Sequence, residues 1–183
     1  MRVVGGSLRG RRIEAPDDDR VRPTSDRARE SLFNILTQGR QGNVVDGAEV
    51  LDAFAGSGAL GIEALSRGAA FVTFLEKDRA AVKLIAANLK ALGLEARAQV
   101  LLSDATRPPV SRRVASLALL DPPYGSALGA PALAALAAGG WLAPEALATL
   151  EVERGEEVAV PEGFTLVDER TYGRAKILLL QKG

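Results

Sequence analysis

The chain contains no cysteine and no histidine. Without cysteine there is no disulfide, no thiolate nucleophile and no thiolate-held cluster. Without histidine there is no Ser-His-Asp triad, no His-ligated zinc and no imidazole general base. Also lacking are an apolar run long enough to span a bilayer and an apolar stretch behind the Arg-rich start. Neither a transmembrane helix nor a secretory leader is therefore expected, and the protein reads as cytoplasmic. No metal site is expected either. The chemistry left over belongs to carboxylates, hydroxyls, backbone groups and a bound cofactor.

Net charge is the next absence, because 23 Lys and Arg balance 23 Asp and Glu. The charges are unevenly spread, however. Arg2, Arg9, Arg11 and Arg12 stand together with no acid among them, and Arg20, Arg22, Arg27 and Arg29 follow, mixed with Asp17, Asp18, Asp19 and Asp26. A local basic patch on a neutral body suits a selective phosphate contact better than general coating of a polyanion. A solvated Arg-rich face accounts for the same charges.

What is present is 183 residues with a 47% apolar share, enough for one domain with a real core. Residues 1–40 read as an Arg-rich extension: two short extended arms, Arg2-Val3-Val4 and Arg12-Ile13-Glu14, then a helix. Thr24 or Ser25 is placed to cap that helix, Ala28, Leu32, Ile35 and Leu36 lie on one face, and Gly39 ends it. Residues 41–183 read as alternating strands and helices. Strands are predicted at 50–55, 71–76, 96–102, 116–121 and 147–153, the third and fourth as apolar runs covered on both faces. Helices are predicted at 59–67, after the cap Asp78 (with Ala81, Val82, Ile85, Leu89 and Leu92 inward, ended by Gly93), and at 130–138. Two antiparallel strands at 165–171 and 175–181 close the chain. Strand–helix alternation predicts a Rossmann-like α/β fold, a mostly parallel seven-stranded sheet. The antiparallel last pair is the mark of the class I methyltransferase variant.

Gly56-x-Gly58-x-x-Gly61 after the first strand, with Glu76 about 20 residues on, satisfies the dinucleotide-binding fingerprint. A nicotinamide enzyme is therefore a competing reading. Asp52, in Leu51-Asp52-Ala53-Phe54-Ala55-Gly56, argues against it: a carboxylate repels a pyrophosphate but complements the ammonium and sulfonium of S-adenosylmethionine. Glu76 is placed to accept the ribose hydroxyls and Asp104 the adenine amine. Asp121 joins them at the same edge of the sheet. Any one of these acids alone could be a helix cap or a solvated loop residue.

Leu119-Leu120-Asp121-Pro122-Pro123-Tyr124-Gly125 is the most specific feature. Two prolines remove two backbone donors and leave the Pro122 carbonyl available as an acceptor. An exocyclic amine on a purine is a poor nucleophile because its lone pair is delocalised. A carboxylate and a carbonyl accepting its two protons hold the nitrogen and favour positive charge on it as a methyl arrives. Tyr124 supplies a stacking face for the base.

With that tetrapeptide, Arg2-Val-Val-Gly-Gly-Ser-Leu-Arg-Gly-Arg-Arg-Ile13, Arg22-Pro-Thr-Ser-Asp-Arg-Ala-Arg-Glu-Ser-Leu-Phe-Asn34 and Leu51-Asp-Ala-Phe-Ala-Gly-Ser-Gly-Ala-Leu-Gly-Ile-Glu63 resemble the RsmD family of 16S ribosomal RNA guanine-N2 methyltransferases. The resemblance implies S-adenosylmethionine as cofactor and a guanine of 16S ribosomal RNA in an assembling small subunit as substrate. It implies catalytic roles for Asp121, Pro122 and Tyr124, the last commonly Phe in the family. It implies a cofactor pocket drawn from Asp52, Ala53, Phe54, Gly56, Ser57, Gly58, Glu76, Lys77, Asp104, Ala105 and Asp121. It places Pro23, Thr24, Arg27 and Arg29 at the mouth. Arg2, Arg9, Arg11, Arg12 and Arg22 join them, with Tyr124, as expected RNA contacts, and the chain is expected to act as a monomer. From spacing alone, Arg27 and Glu30 could simply pair on one helix face. The tetrapeptide also occurs in DNA adenine-N6 and protein glutamine-amide methyltransferases. A non-catalytic RNA-binding module on the same fold is a further alternative, which the intact acid set opposes.

Overall fold

The computed structural model describes residues 1–16 and 26–183. Among the described residues four α-helices, α1 (Asp26–Gln38), α2 (Ala59–Ser66), α3 (Arg79–Leu92) and α4 (Gly129–Ala138), are interleaved with strands β1 (Glu49–Ala53), β2 (Phe71–Glu76), β3 (Ala98–Leu102), β4 (Ala115–Leu120) and β5 (Leu142–Glu153), β4 following β3 with no helix between them. The chain closes with β6 (Phe164–Tyr172) and β7 (Ala175–Lys182). All seven strands form one sheet in the order β3-β2-β1-β4-β5-β7-β6. Strands β1 to β5 run parallel, and β7 lies antiparallel between β5 and β6. This is the architecture of class I methyltransferases.

Period-two alternation explains the continuous apolar runs. Leu117 and Leu119 of β4 and Ile177 and Leu179 of β7 pack on the face that carries α1, α2 and α3. Their neighbours Ala118, Leu120, Leu178 and Leu180 pack on the opposite face with Ala132, Leu133 and Leu136 of α4 and with Trp141. β3 departs from the expectation of two covered faces. It is an edge strand with Leu102 47% exposed, and its first predicted residues form a 3-10 turn at Glu95–Arg97. β5 starts earlier than predicted, at Leu142. Its pairing with β4 shifts between Leu142 and Leu147, around Glu145 at φ 60, so Pro144 and Glu145 hide the strand's start from a pattern reading.

The described residues among the first forty share this core. Arg2 and Arg12 form an antiparallel bridge around a 3-10 turn at Gly6–Leu8. Val3, Ile13, Leu32, Phe33 and Leu36 belong to the same buried cluster as Ile62 and Val72. The inner face of α1 is Arg29, Leu32, Phe33 and Leu36, while Ala28 and Ile35 are only half-buried, a rotation from the predicted stripe. The predicted caps Thr24 and Ser25 lie outside the described residues. No helix among the described residues is long and apolar enough to cross a membrane.

Candidate active site

β1 runs into a turn that only an unusual backbone can make. Phe54 adopts φ 62, a left-handed conformation rare for a bulky residue, and Gly56 and Gly58 follow at φ 56 and 79. Gly58 enters α2 as its N-cap. Gly61 is needed for packing: a Cβ there would lie 2.3 Å from the Phe74 ring. Asp52 lies within β1, not at its tip, and is 1% exposed. Its Oδ2 accepts from the Gly61 N–H at 2.8 Å, taking up one of the orphan donors of the first turn of α2. Burial pushes the Asp52 carboxyl well above its usual range. The Gly61 N–H opposes that rise, and the Asp121 and Glu76 charges add to it.

Glu76 ends β2 and joins two turns, accepting from Gly56 N–H at 2.9 Å and Asp78 N–H at 2.8 Å. Asp78 caps α3 as predicted, accepting from Ala80 and Ala81. Asp104 follows β3, where the Thr106 N–H and hydroxyl both donate to it and hold its carboxyl below the usual range.

These residues meet at one cavity of about 1390 Å³ at the carboxyl ends of the parallel strands. That exceeds the roughly 300–1,000 Å³ of most ligand pockets. Of the residues predicted at the cofactor, Asp52, Phe54, Gly56, Ser57, Glu76, Lys77, Asp104, Ala105 and Asp121 all lie on its wall. Ala53 and Gly58 do not. Ala53 packs in the core with Leu51 and Leu75, and Gly58 is spent on the turn, where a Cβ would come 3.2 Å from Ile85.

Asp121 leaves β4 onto the same wall, followed by Pro122, Pro123 and Tyr124. Pro122 is buried, and no donor among the described residues reaches its carbonyl, whereas Pro123 accepts from Ser126 N–H at 3.2 Å. The Tyr124 hydroxyl donates to Glu151 Oε1 of β5 at 2.7 Å. Sequence reasoning missed Glu151. The signal was there, an acid inside the apolar run Leu147–Val152, and β4 and β5 pair Leu120 with Leu150, which sets Glu151 beside Asp121. It also missed the β6–β7 turn, whose Tyr172, Gly173 and Arg174 line the cavity wall.

Comparison with known proteins decides the family. The family model described as conserved hypothetical protein 95 matches residues 1–181. The ribosomal RNA small subunit methyltransferase D of Escherichia coli K12 is 40% identical over 100% of this chain and 90% of its own length. That of Haemophilus influenzae is 35% identical over 99% of this chain and 93% of its own length. The chain belongs to the RsmD family. Its fold superimposes on the solved structure of Escherichia coli yhhF, described as a methyltransferase, with TM-score 0.84 and 37% identity over 100% of this chain and 97% of that one. A Salinibacter ruber RNA methyltransferase bound to S-adenosyl-L-homocysteine, 16% identical with TM-score 0.66 over 88% of this chain and 94% of that one, shares the fold.

Within the RsmD frame the arginines divide. Arg2, Arg9, Arg11 and Arg12 are exposed. Arg2 also donates to the Gly10 carbonyl and Arg11 to that of Ala91. Arg27 is exposed and stands on the cavity wall beside Ala28 and Ser31. Arg29 corrects the expectation of an RNA contact, because its side chain is fully buried. It pairs with Asp26 at 2.8 Å and with Glu63 at 3.5 Å, and donates to the Arg2 carbonyl. Glu63, equally buried, also accepts from Val4 N–H, Gly5 N–H and Arg67, at 2.9, 2.8 and 2.7 Å. Arg29 therefore ties α1 and the N-terminal arm to α2. Arg22 and Thr24, with Pro23, lie outside the described residues.

Proposed function

We propose that the protein transfers a methyl group from S-adenosylmethionine to the exocyclic N2 amino group of a guanine in 16S ribosomal RNA. The observation that carries this reading is the acceptor pair at the end of β4. Asp121 lies on the cavity wall, and the adjoining Pro122 carbonyl meets no donor among the described residues. An amino group offers two N–H donors, and two acceptors side by side hold it with its lone pair turned toward an incoming methyl. The Tyr124 ring supplies the stacking face.

The rest of the wall fits the cofactor. Gly56 leaves the turn open, since the nearest atom a Cβ there would meet is the Phe54 carbonyl at 4.0 Å. When bound, S-adenosylmethionine supplies an electrophilic methyl carbon on a positively charged sulfur. Asp52 would hold its positive end, Glu76 the ribose hydroxyls and Asp104 the adenine amine. An incoming cation would favour the ionised form of the Asp52 carboxyl, opposing the rise that burial imposes. A dinucleotide pyrophosphate would instead meet Asp52, Glu76 and Asp121 together. RNA as substrate is carried over from the relatives named as ribosomal RNA methyltransferases, and the exposed N-terminal arginines suit it. The target guanine is unpaired, the particle is a partly assembled small subunit, and the enzyme works as a cytoplasmic monomer.

The test uses small subunits from cells that lack this activity and methyl-labelled S-adenosylmethionine. Incorporation into 16S ribosomal RNA at a guanine N2, and not into DNA, is expected. Asp121→Ala should abolish it while keeping most of the cofactor affinity. Full activity in that variant, or thermal stabilisation by NAD(H) rather than S-adenosylmethionine, would sink the reading.

A further inference from the structure

Glu151 is a carboxylate that the acceptor pair does not use. It is 7% exposed and sits mid-sheet on β5, between β4 and β7. The apolar residues on either side of it are buried, Leu150 at 0% and Val152 at 2%. An acid in such a place is costly unless its oxygens are engaged, and a charged acceptor makes a hydrogen bond shorter and stronger than a neutral one. The hydrogen bond at hand comes from the Tyr124 hydroxyl, at 2.7 Å. Tyr124 is thus held at both ends. Its backbone leaves two prolines with fixed φ, and its phenol tip is tied to one of the central strands. A phenylalanine would offer a base the same face but leave Glu151 without this donor.

We infer that Glu151 is a positioning residue for methyl transfer, fixing the place of the Tyr124 ring, and so of the stacked base, through the tyrosine hydroxyl. The inference rests on the proposed function. Reacting atoms must meet within narrow limits of distance and angle, and a ring free to swing about its Cα–Cβ bond carries its hydroxyl, and the base stacked on it, out of those limits. The effect therefore belongs in kcat and not in subunit binding.

The experiment compares Tyr124→Phe, Glu151→Gln, Glu151→Ala and the Tyr124→Phe/Glu151→Ala pair in small-subunit methylation. Tyr124→Phe should lower kcat about ten-fold with KM within about two-fold. Glu151→Gln keeps a carbonyl acceptor and should stay within about three-fold of wild type. Glu151→Ala should match Tyr124→Phe, and the double variant should be no slower than the worse single. Wild-type kcat in Tyr124→Phe, or losses that multiply in the double variant, overturns the inference. Should Glu151→Ala fail to fold, Tyr124→Phe and Glu151→Gln decide it alone. A second readout needs no substrate. The chain has 2 tyrosines, so fluorotyrosine labelling gives two fluorine resonances. Glu151→Gln should shift that of Tyr124 and leave that of Tyr172 in place. An unmoved Tyr124 resonance overturns the inference even if no methylation is seen. A shifted one with no methylation by the wild type counts against the proposed function alone.

Discussion

Arg27 and Arg29 stand two residues apart on α1, the first exposed on the cavity wall and the second buried against Glu63, and one pair of variants separates what each does. In Arg29→Met the side chain keeps much of its apolar length but loses its charge. Glu63 then loses one cationic partner and keeps Val4 N–H, Gly5 N–H and Arg67. Removing one partner of a buried ion pair costs about 3–5 kcal/mol. The Arg29–Glu63 contact is the longest of the four at 3.5 Å, and Arg67 at 2.7 Å stays behind, so the low end applies. At about 2–4 °C per kcal/mol for a chain of this size, the thermal midpoint should fall by roughly 6–12 °C. The salt dependence of RNA binding should not change. Arg27→Ala should do the reverse. An exposed side chain costs no more than about 0.5 kcal/mol, while the slope of log K against log salt should drop by about one. Differential scanning calorimetry and filter binding across a salt series give both numbers. If Arg29→Met kept the wild-type midpoint and flattened the salt slope, the buried tie between α1 and α2 would not exist in solution.

Three further outcomes follow from the same geometry. Asp52 has a raised carboxyl, so its contribution to the ligand-free protein's stability is fully present below the usual Asp range of about 3.9 and is lost as pH rises through the raised value. Asp52→Asn, neutral at every pH, should flatten that dependence in thermal scans and weaken S-adenosylmethionine roughly 10- to 100-fold at neutral pH by calorimetry; unchanged affinity would remove Asp52 from the cofactor site. Gly61→Ala drives a Cβ to 2.3 Å from the Phe74 ring and should cost about 1–3 kcal/mol by urea unfolding, partly recovered by Phe74→Leu; no loss would mean the turn repacks freely. Arg9→Ala with Arg11→Ala should lower the RNA salt slope by about two, and an unaltered slope would take this arm off the RNA.

Most of the frame was readable from the chain because strand period and helix period are local signals. Phe71–Glu76 and the Asp78 and Gly93 caps of α3 fall where their residue types demand. Residue type alone cannot report depth. Arg29 reads as a surface cation like its neighbours until Glu63, 34 positions later, is seen to meet it in the core. Ala53 and Gly58 sit inside the motif that resembles a cofactor loop, yet one fills the core and the other makes the turn. Glu151 needed the register of two strands joined through a helix, and register is a tertiary fact. The β6–β7 turn reached the site by the same route, since only the antiparallel return of β7 beside β5 brings Arg174 round to the cavity.

The balanced charge of the chain conceals a sorting that bears on which part of a nucleic acid can enter. Among the described residues the cavity wall carries the carboxylates Asp52, Glu76, Asp78, Asp104, Asp121 and Glu151 against the basic side chains Arg27, Lys77 and Arg174. Exposed Arg2, Arg9, Arg11 and Arg12 lie off that wall. An acidic interior repels a phosphate but admits a cation and a neutral base, while exposed arginines favour phosphate where it is solvated. Under the proposed function this sorting orients the substrate before any specific contact forms, with the backbone outside and the base within. A nitrogen that has just received a methyl carries positive charge and loses a proton readily, so under the proposed function a carboxylate such as Asp121 beside the Pro122 carbonyl can take that proton without an imidazole.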